Sequence, residues 1–313
     1  MAIPIHDRLL IVLAGPTAVG KTELAYQLAK RYDAPILSAD SRQIYRQMDI
    51  GTAKPPAYML REVPHYFINH IDIDTPYSAG QFAREAEEVL QRIFEEHSIA
   101  LLVGGTGLYI DALCQGLDPM PAVTSEVRQS VLDDLAQYGI TYLLEELKTK
   151  DPEYYRRVDK HNPRRISRAL EVIRQTGLPF SSFRQGQPSP RPFHTLYILL
   201  MRPRDELYRR IDARVDDMLA HGWLEEARSL YPYRHLPALQ TVGYKELFHY
   251  LEGNIDWTTT VEQIKRQTRR YAKRQWTWFF RQNHWSVFHP LHRSRISSYI
   301  EHIHRTMARD FIR

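Results

Sequence analysis

The sequence predicts an α/β protein: a parallel sheet core interrupted by a helical insertion domain. Three observations carry this. Four short apolar runs, Leu9 to Ala14, Pro35 to Ala39, Ile99 to Val103 and Leu196 to Met201, have the length and composition of strands buried on both faces. Each is followed by glycine-rich or polar residues, as expected where ligands gather beyond the carboxyl ends of parallel strands. Between the third and fourth runs, Leu117 to Pro192 contains no strand-like segment and reads as helix.

The first run leads into Gly15-Pro16-Thr17-Ala18-Val19-Gly20-Lys21-Thr22, which fills every fixed position of G-x-x-x-x-G-K-[ST]. A helix follows over Glu23 to Tyr32, with Leu24, Leu28 and Tyr32 on one face. Strand, glycine loop and helix together make a P-loop NTPase-like cradle for a diphosphate or triphosphate, the loop type that also binds ATP. Backbone N–H groups and the helix N-terminus face the phosphates, Lys21 adds a full charge, and the Thr22 hydroxyl can ligate Mg²⁺.

After the second run comes Asp40-Ser41-Arg42-Gln43. Asp40 has three readings: it holds Mg²⁺ through water, it takes a proton from an attacking group, or it caps a following helix. The third run ends in Gly104-Gly105-Thr106-Gly107 and the fourth in Arg202-Pro203-Arg204. Neither strand ends in the Asp that a nucleotide hydrolase of this fold uses to organise metal and water.

In the insertion, Thr124 or Ser125 caps a helix that ends before Gly139, and Asn162-Pro163 starts another that stops at Gly177. Pro119, Pro121 and the segment Pro188-Ser189-Pro190-Arg191-Pro192 have the composition of hinges. The expected organisation is residues 1–116 and 193–313 as the core and 117–192 as the insertion. In the helix after the fourth strand, Leu207, Ile211, Arg214 and Met218 form a stripe that places an arginine among apolar residues. It needs an anionic partner, either a bound diphosphate or a core carboxylate. Further on, Lys265 to Arg281 interleaves basic and aromatic residues, with Ile264, Thr268, Tyr271, Gln275 and Trp278 on one helical face. It reads either as a phosphate-backbone contact for nucleic acid or as a solvated basic helix whose aromatics pack on the core.

Composition narrows the class. No apolar run among the 313 residues approaches the ~18 of a membrane span, so no membrane partner is expected. Leu9 to Leu13 flows into the phosphate loop and reads as a strand rather than a signal peptide. The single cysteine, Cys114, excludes a disulfide within the chain and fits the cytoplasm. His65 and His70 lack a third ligand, and the net charge of +5 is mild.

The runs GPTAVGKT, SADSRQIYRQMDIGTAKP (Ser38 to Pro55), LLVGGTGLYIDAL (Leu101 to Leu113), NPRRISRALEV (Asn162 to Val172) and TVGYKEL (Thr241 to Leu247) resemble the tRNA dimethylallyltransferases. VPHYFIN (Val63 to Asn69), Tyr77-Ser78-Ala79 and YAKRQWTWF (Tyr271 to Phe279) are similar to that family too, so the resemblance covers nearly the whole chain in order. It implies transfer of a dimethylallyl group from dimethylallyl diphosphate to N6 of the adenosine 3′ to the tRNA anticodon (position 37), with diphosphate in the phosphate loop. In that scheme Lys21, Arg214 and Mg²⁺ near Thr22 stabilise the departing diphosphate, Asp40 accepts the N6 proton, and Thr106 contacts the substrate nucleotide. The family pattern also assigns tRNA contacts to Asp40, Ser41, Arg42, Gln43, Thr106, Arg128, Arg164, Arg165, Ile166, Ser167, Arg168, Gln240, Thr241, Val242, Gly243, Tyr244 and Lys245. Gln240 departs from the Arg often found there. Independently, Arg164, Arg165 and Arg168 follow the cap at Asn162 and suit phosphate contacts. The expected state is a monomer.

Rival readings make different demands. An adenylate isopentenyltransferase acting on free nucleotide needs neither the arginine-bearing insertion nor the basic aromatic helix. A small-molecule kinase leaves GGTGLY and GTAKP without a purpose, and a non-catalytic RNA-binding module does not require Asp40.

Overall fold

Runs of alternating residues, each half serving one face, give strands that are buried throughout. In the computed structural model, which describes residues 3–184, 186 and 190–310, β1 (Leu9–Ala14) is entirely buried. Leu10, Val12 and Ala14 enter the core on one face of the sheet, while Leu9, Ile11 and Leu13 enter that on the other. The chain continues through α1 (Lys21–Tyr32), β2 (Ile36–Ala39), α2 (Ala57–Glu62), β3 (His65–Tyr66), α3 (Ala79–Glu96), β4 (Ile99–Gly104) and α4 (Gly107–Cys114). Then come α5 (Ser125–Lys150), α6 (Pro152–Arg157), α7 (Pro163–Thr176), β5 (His194–Leu200), α8 (Arg204–Ala220) and α9 (Trp223–Leu230). The last elements are α10 (Tyr244–Leu251), α11 (Trp257–Phe279), β6 (Ser286–Phe288) and α12 (Arg293–Asp310).

The six strands pair in parallel in the order β3-β2-β4-β1-β5-β6. The four expected strands are its centre. The two edge strands are too short to show periodicity, and β3 is polar. The register matters most for function. Ala14 and Ala39 both align with Gly104, so the segments that follow β1, β2 and β4 start side by side.

Contacts divide the chain into two compact units, residues 1–115 with 190–313, and residues 116–189. The expected insertion, 117–192, runs three residues too far at its C-terminal end, because Arg191 is tied into the sheet unit. Its guanidinium pairs with Glu87 and donates to Ala112 O at 3.0 Å. Pro188 and Ser189 of the expected hinge lie outside the described residues.

The helical unit has its own core, including Val131, Leu143, Leu147, Ile166, Leu170 and Ile173. Thr124 caps α5 by accepting from Val127 N–H at 3.4 Å. The helix breaks at Gly139, where φ is +76° and ψ 179°, and resumes beyond it. That is the expected stop, followed by a second helix that the sequence pattern does not separate from it. Asn162 caps α7 through Arg165 N–H at 3.3 Å, and Gly177 ends it at φ +73°.

Candidate active site

The phosphate loop depends on two backbone conformations. Gly15 has φ +155°, and a Cβ there would lie 2.8 Å from Leu200 O of the neighbouring strand. Gly20, at φ +109°, opens the turn into α1. Two arginines fasten the loop from outside: Arg202, in a strand-end segment expected at the site, donates from Nε to Val19 O at 2.7 Å, and Arg210, which sequence reasoning does not place there, from Nε to Ala18 O at 2.9 Å. Arg202 is buried and also pairs with Glu206. Its only sequence signal is Arg202-Pro203-Arg204 at the end of a buried strand.

Lys21 Nζ donates to Gly15 O and Pro16 O, both at 2.8 Å. Burial pulls its ammonium down to about 7, against the opposing field of Asp40 and with a further push from Arg214. Arg214 is half-buried, and burial lowers its pKa too, with Asp40 again opposing. Among the described residues no carboxylate comes within ion-pair distance of Arg214, which removes the core salt bridge as an explanation for its place on the stripe. Val215, not Arg214, occupies the fully buried position of that turn, since α8 rotates both residues to either side of the stripe axis. Lys21, Arg214 and Asp40 thus share one electrostatic environment, with two cations to one acid.

The depressed Lys21 pKa has a stability consequence. Below about 7 the folded protein bears the full cost of a buried ammonium; from there up to the unfolded value the folded state has lost a proton that the unfolded state keeps, so stability rises with pH. Lys21→Met is therefore expected to be more resistant to urea than the wild type at pH 6, with the difference narrowing toward pH 10. Parallel stability curves for the two proteins across that range contradict the assignment.

Asp40 caps a turn after β2 rather than the helix expected there: its Oδ1 accepts from Arg42 N–H at 2.9 Å and Gln43 N–H at 3.3 Å. This leaves its second oxygen for other work. Thr106 joins the same cluster, accepting from Ser41 N–H at 3.1 Å, donating to Ser41 Oγ at 3.3 Å and linking its own N–H to Ala39 O at 3.1 Å. The ends of β2 and β4 are thereby locked together around the acid.

Helix α11 closes the site. Of its expected inner face, Ile264 and Gln275 are buried and Thr268, Tyr271 and Trp278 half-buried. Tyr271 faces Asp40, and burial together with that carboxylate raises its hydroxyl above the ordinary phenol range. Trp278 Nε1 donates to Asp111 at 3.0 Å and packs where a side chain at Gly107 would stand. Both readings of the basic segment apply in part: Lys265 and Arg269 pair with Asp216 and Asp212 of α8 at 2.6 and 2.5 Å, whereas Arg266, Arg270, Lys273 and Arg281 are exposed. Tyr271 and Gln275 lie in a segment that the resemblance singles out, but a tyrosine and a glutamine on an amphipathic face carry no chemical signature of their own.

The side chain of Thr22, at the start of α1, makes no hydrogen bond among the described residues, which leaves its hydroxyl available to a cation. No cluster of three or more His, Cys, Asp or Glu capable of holding a metal occurs among the described residues. One hydroxyl and one carboxylate fit a Mg²⁺ whose other ligands are phosphate oxygens and water.

Several expected tRNA contacts need correction. Ile166 and Tyr244 are fully buried, Ser167 is 5% exposed, and Gly243 packs under Trp223, so none presents a side chain to a macromolecule. Tyr244 donates instead to Glu226 at 2.6 Å, and the same carboxylate accepts from the N–H groups of Asp49, Ile50 and Gly51. The guanidinium of Arg42 binds Pro237 O and Ala238 O, the amide of Gln43 binds Thr52 O and Ala53 O, and Gln240 binds Arg234 O. Lys54 is structural as well: its side chain is 6% exposed and ties Tyr45 O to Asp49. Lys245 is exposed, and Thr241 and Val242 are half-exposed. In the helical unit Arg128, Arg164 and Arg165 are exposed, and Arg168 pairs with Glu171 at 3.1 Å.

Comparison with known proteins accounts for this arrangement. The family model described as IPP transferase matches residues 43–283. The chain is 47% identical to tRNA dimethylallyltransferase 1 of Bacteroides fragilis over 93% of its own length and 97% of that protein. It is 45% identical to the tRNA dimethylallyltransferase of Cytophaga hutchinsonii over 94% of its length and 97% of that protein. The crystal structure of the full-length tRNA isopentenylpyrophosphate transferase from Bacillus halodurans superposes with a TM-score of 0.73 at 34% identity, covering 98% of this chain and all of that one. A eukaryotic dimethylallyltransferase captured acting on tRNA gives a TM-score of 0.74 at 30% identity, covering 87% of this chain and 69% of that one. The fold is therefore P-loop NTPase-like, and the chain belongs to the IPP transferase family.

Proposed function

We propose that this protein transfers the dimethylallyl group of dimethylallyl diphosphate to N6 of the adenosine on the 3′ side of a tRNA anticodon, releasing diphosphate. The observation that carries the reading is a complete phosphate loop with an acid at the end of β2 and no carboxylate at the ends of β4 or β5. Such a site binds a diphosphate without the apparatus to hydrolyse it.

The loop amides, Lys21 and Arg214 receive the diphosphate oxygens as the C–O bond breaks and negative charge collects on the leaving group. The carbon acquires allylic cation character, and the N6 lone pair attacks it. Asp40 accepts the N6 proton through the oxygen that the turn does not use, and Thr106 holds the Asp40-Ser41 segment in place while contacting the nucleotide. Thr22, and Asp40 through water, would hold a Mg²⁺, which would supply neutralising charge to the diphosphate. An adenine must leave its stack to reach this site, at a cost of a few kcal/mol that contacts elsewhere on the tRNA offset. In the helical unit the exposed Arg128, Arg164 and Arg165, with Arg168, suit phosphate contacts; in the sheet unit Lys245 and the exposed α11 arginines suit them too. The reading includes a monomer acting in the cytoplasm, supported by a loop and an acid within one chain and by the lone buried Cys114.

Incubation with labelled dimethylallyl diphosphate and either tRNA or AMP tests the substrate. Label is expected on tRNA; label on AMP alone moves the activity to the free nucleotide. Replacing Arg164, Arg165 and Arg168 with alanine is expected to weaken tRNA binding and to flatten its dependence on salt by about 0.7–0.9 in slope for each phosphate that is no longer neutralised. Binding of dimethylallyl diphosphate stays unchanged. An unaltered salt slope removes these residues from the tRNA surface.

A further inference from the structure

Gln275 is a buried carboxamide, 7% exposed, whose two ends reach different loops. Its Oε1 accepts from Thr17 N–H of the phosphate loop at 2.9 Å, and its Nε2 donates to Gly105 O at 3.0 Å. We propose that Gln275 is a positioning residue that sets the separation between the phosphate loop and the Gly105-Thr106 segment, and hence between the leaving group and the adenine nitrogen. The inference rests on the transfer reading given above.

The geometry distinguishes this from core filling. A buried carboxamide is costly unless both ends are bonded, and leucine or methionine fills the same space without that cost. The fit also dictates its neighbour's identity: a Cβ at Gly105 would lie 2.2 Å from Gln275 Nε2 and 3.2 Å from Gly15 O. Three residues along α11, Trp278 demands a glycine at 107 in the same way. From Gly105 the chain of bonds continues through Thr106 to Ser41 and Ala39, and so to the two residues that flank Asp40. Gln275 therefore joins the donor cradle to the segment whose bonds reach the neighbours of the acid. A neutral amide offers the required acceptor on one side and donor on the other. An ionised carboxylate has no donor for Gly105 O and adds negative charge beside a diphosphate.

The test uses Q275E and Q275L in the full chain, with single-turnover transfer to tRNA measured from about pH 5.5 to 8.5 and tRNA affinity measured alongside. At pH 8 Q275E is expected to be about 100-fold slower than wild type, the scale of a misplacement near 1 Å, with tRNA affinity within about threefold. The ratio of wild-type to Q275E rates is expected to shrink as pH falls, because a protonated carboxyl restores one donor and one acceptor. Titrations of Lys21 and Tyr271 are common to both proteins. Q275L is expected to stay slow throughout. A ratio independent of pH, or a rate loss equal to the loss of folded protein by circular dichroism, overturns the positioning role. If wild type transfers nothing, the transfer reading fails by itself. The bridge is then read from exchange of the Thr17 amide, expected to be slow in wild type and fast in Q275L; equal exchange overturns it.

Discussion

Lys21→Ala and Arg214→Ala each lower single-turnover transfer by about 10²–10³-fold, or roughly 3–4 kcal/mol, the scale of removing one preorganised charge from a site of developing negative charge. Both side chains stand in the same buried field as Asp40, and neither is held by a carboxylate within ion-pair distance. Lys21 also ties Gly15 O and Pro16 O, but no carboxylate neutralises either charge, which on the proposed function is left for the diphosphate. The loop itself is retained in both variants, because Arg202 and Arg210 grip it through Val19 O and Ala18 O. Arg214→Lys keeps the charge but loses the planar fork, so it is expected to recover only part of the rate. Near-normal single-turnover rates in both alanine variants, with normal circular dichroism, remove the leaving-group role.

Asp40→Asn separates chemistry from architecture. Asparagine still offers an oxygen to Arg42 N–H and Gln43 N–H, so the turn after β2 survives. It lacks the basicity to take the N6 proton, and a loss of about 10²–10⁴-fold in single-turnover rate is expected at unchanged tRNA affinity. Rate and affinity falling in parallel instead make Asp40 a group that positions the base. Loss of Mg²⁺ dependence makes it an organiser of the metal, and a wild-type rate excludes both the base role and any essential metal role.

Much of the fold was legible because its strands are continuous apolar runs and its loops are motifs. Leu9 to Ala14 followed by GPTAVGKT left little choice of local structure. The edge strands His65–Tyr66 and Ser286–Phe288 were not legible, since their pairing is decided by neighbours in the sheet rather than by their own pattern. At the site, Lys21, Asp40 and Thr106 stand where motif reading places them, beyond adjacent strand ends. Arg202 has a signal in its place beyond a strand end, but Arg210 and Gln275 have none: all three hold the loop through backbone carbonyls and amides about 170 to 260 positions away. A motif marks all its members alike, whereas burial separates Tyr244, Ile166 and Ser167, whose side chains are turned inward, from exposed members such as Arg164 and Lys245.

The central claim is that the phosphate loop holds a leaving group in an alkyl transfer, and isotope position tests it most directly. Dimethylallyl diphosphate is prepared with ¹⁸O in the bridge between carbon and phosphorus and incubated with the protein, Mg²⁺ and tRNA. Mass spectrometry then follows both products. Alkyl transfer breaks the C–O bond, so the account predicts one ¹⁸O in each diphosphate released and one dimethylallyl group gained by the tRNA adenosine for each. Recovery of ¹⁸O in dimethylallyl alcohol or monophosphate, with tRNA unmodified, means that a P–O bond was broken and contradicts it.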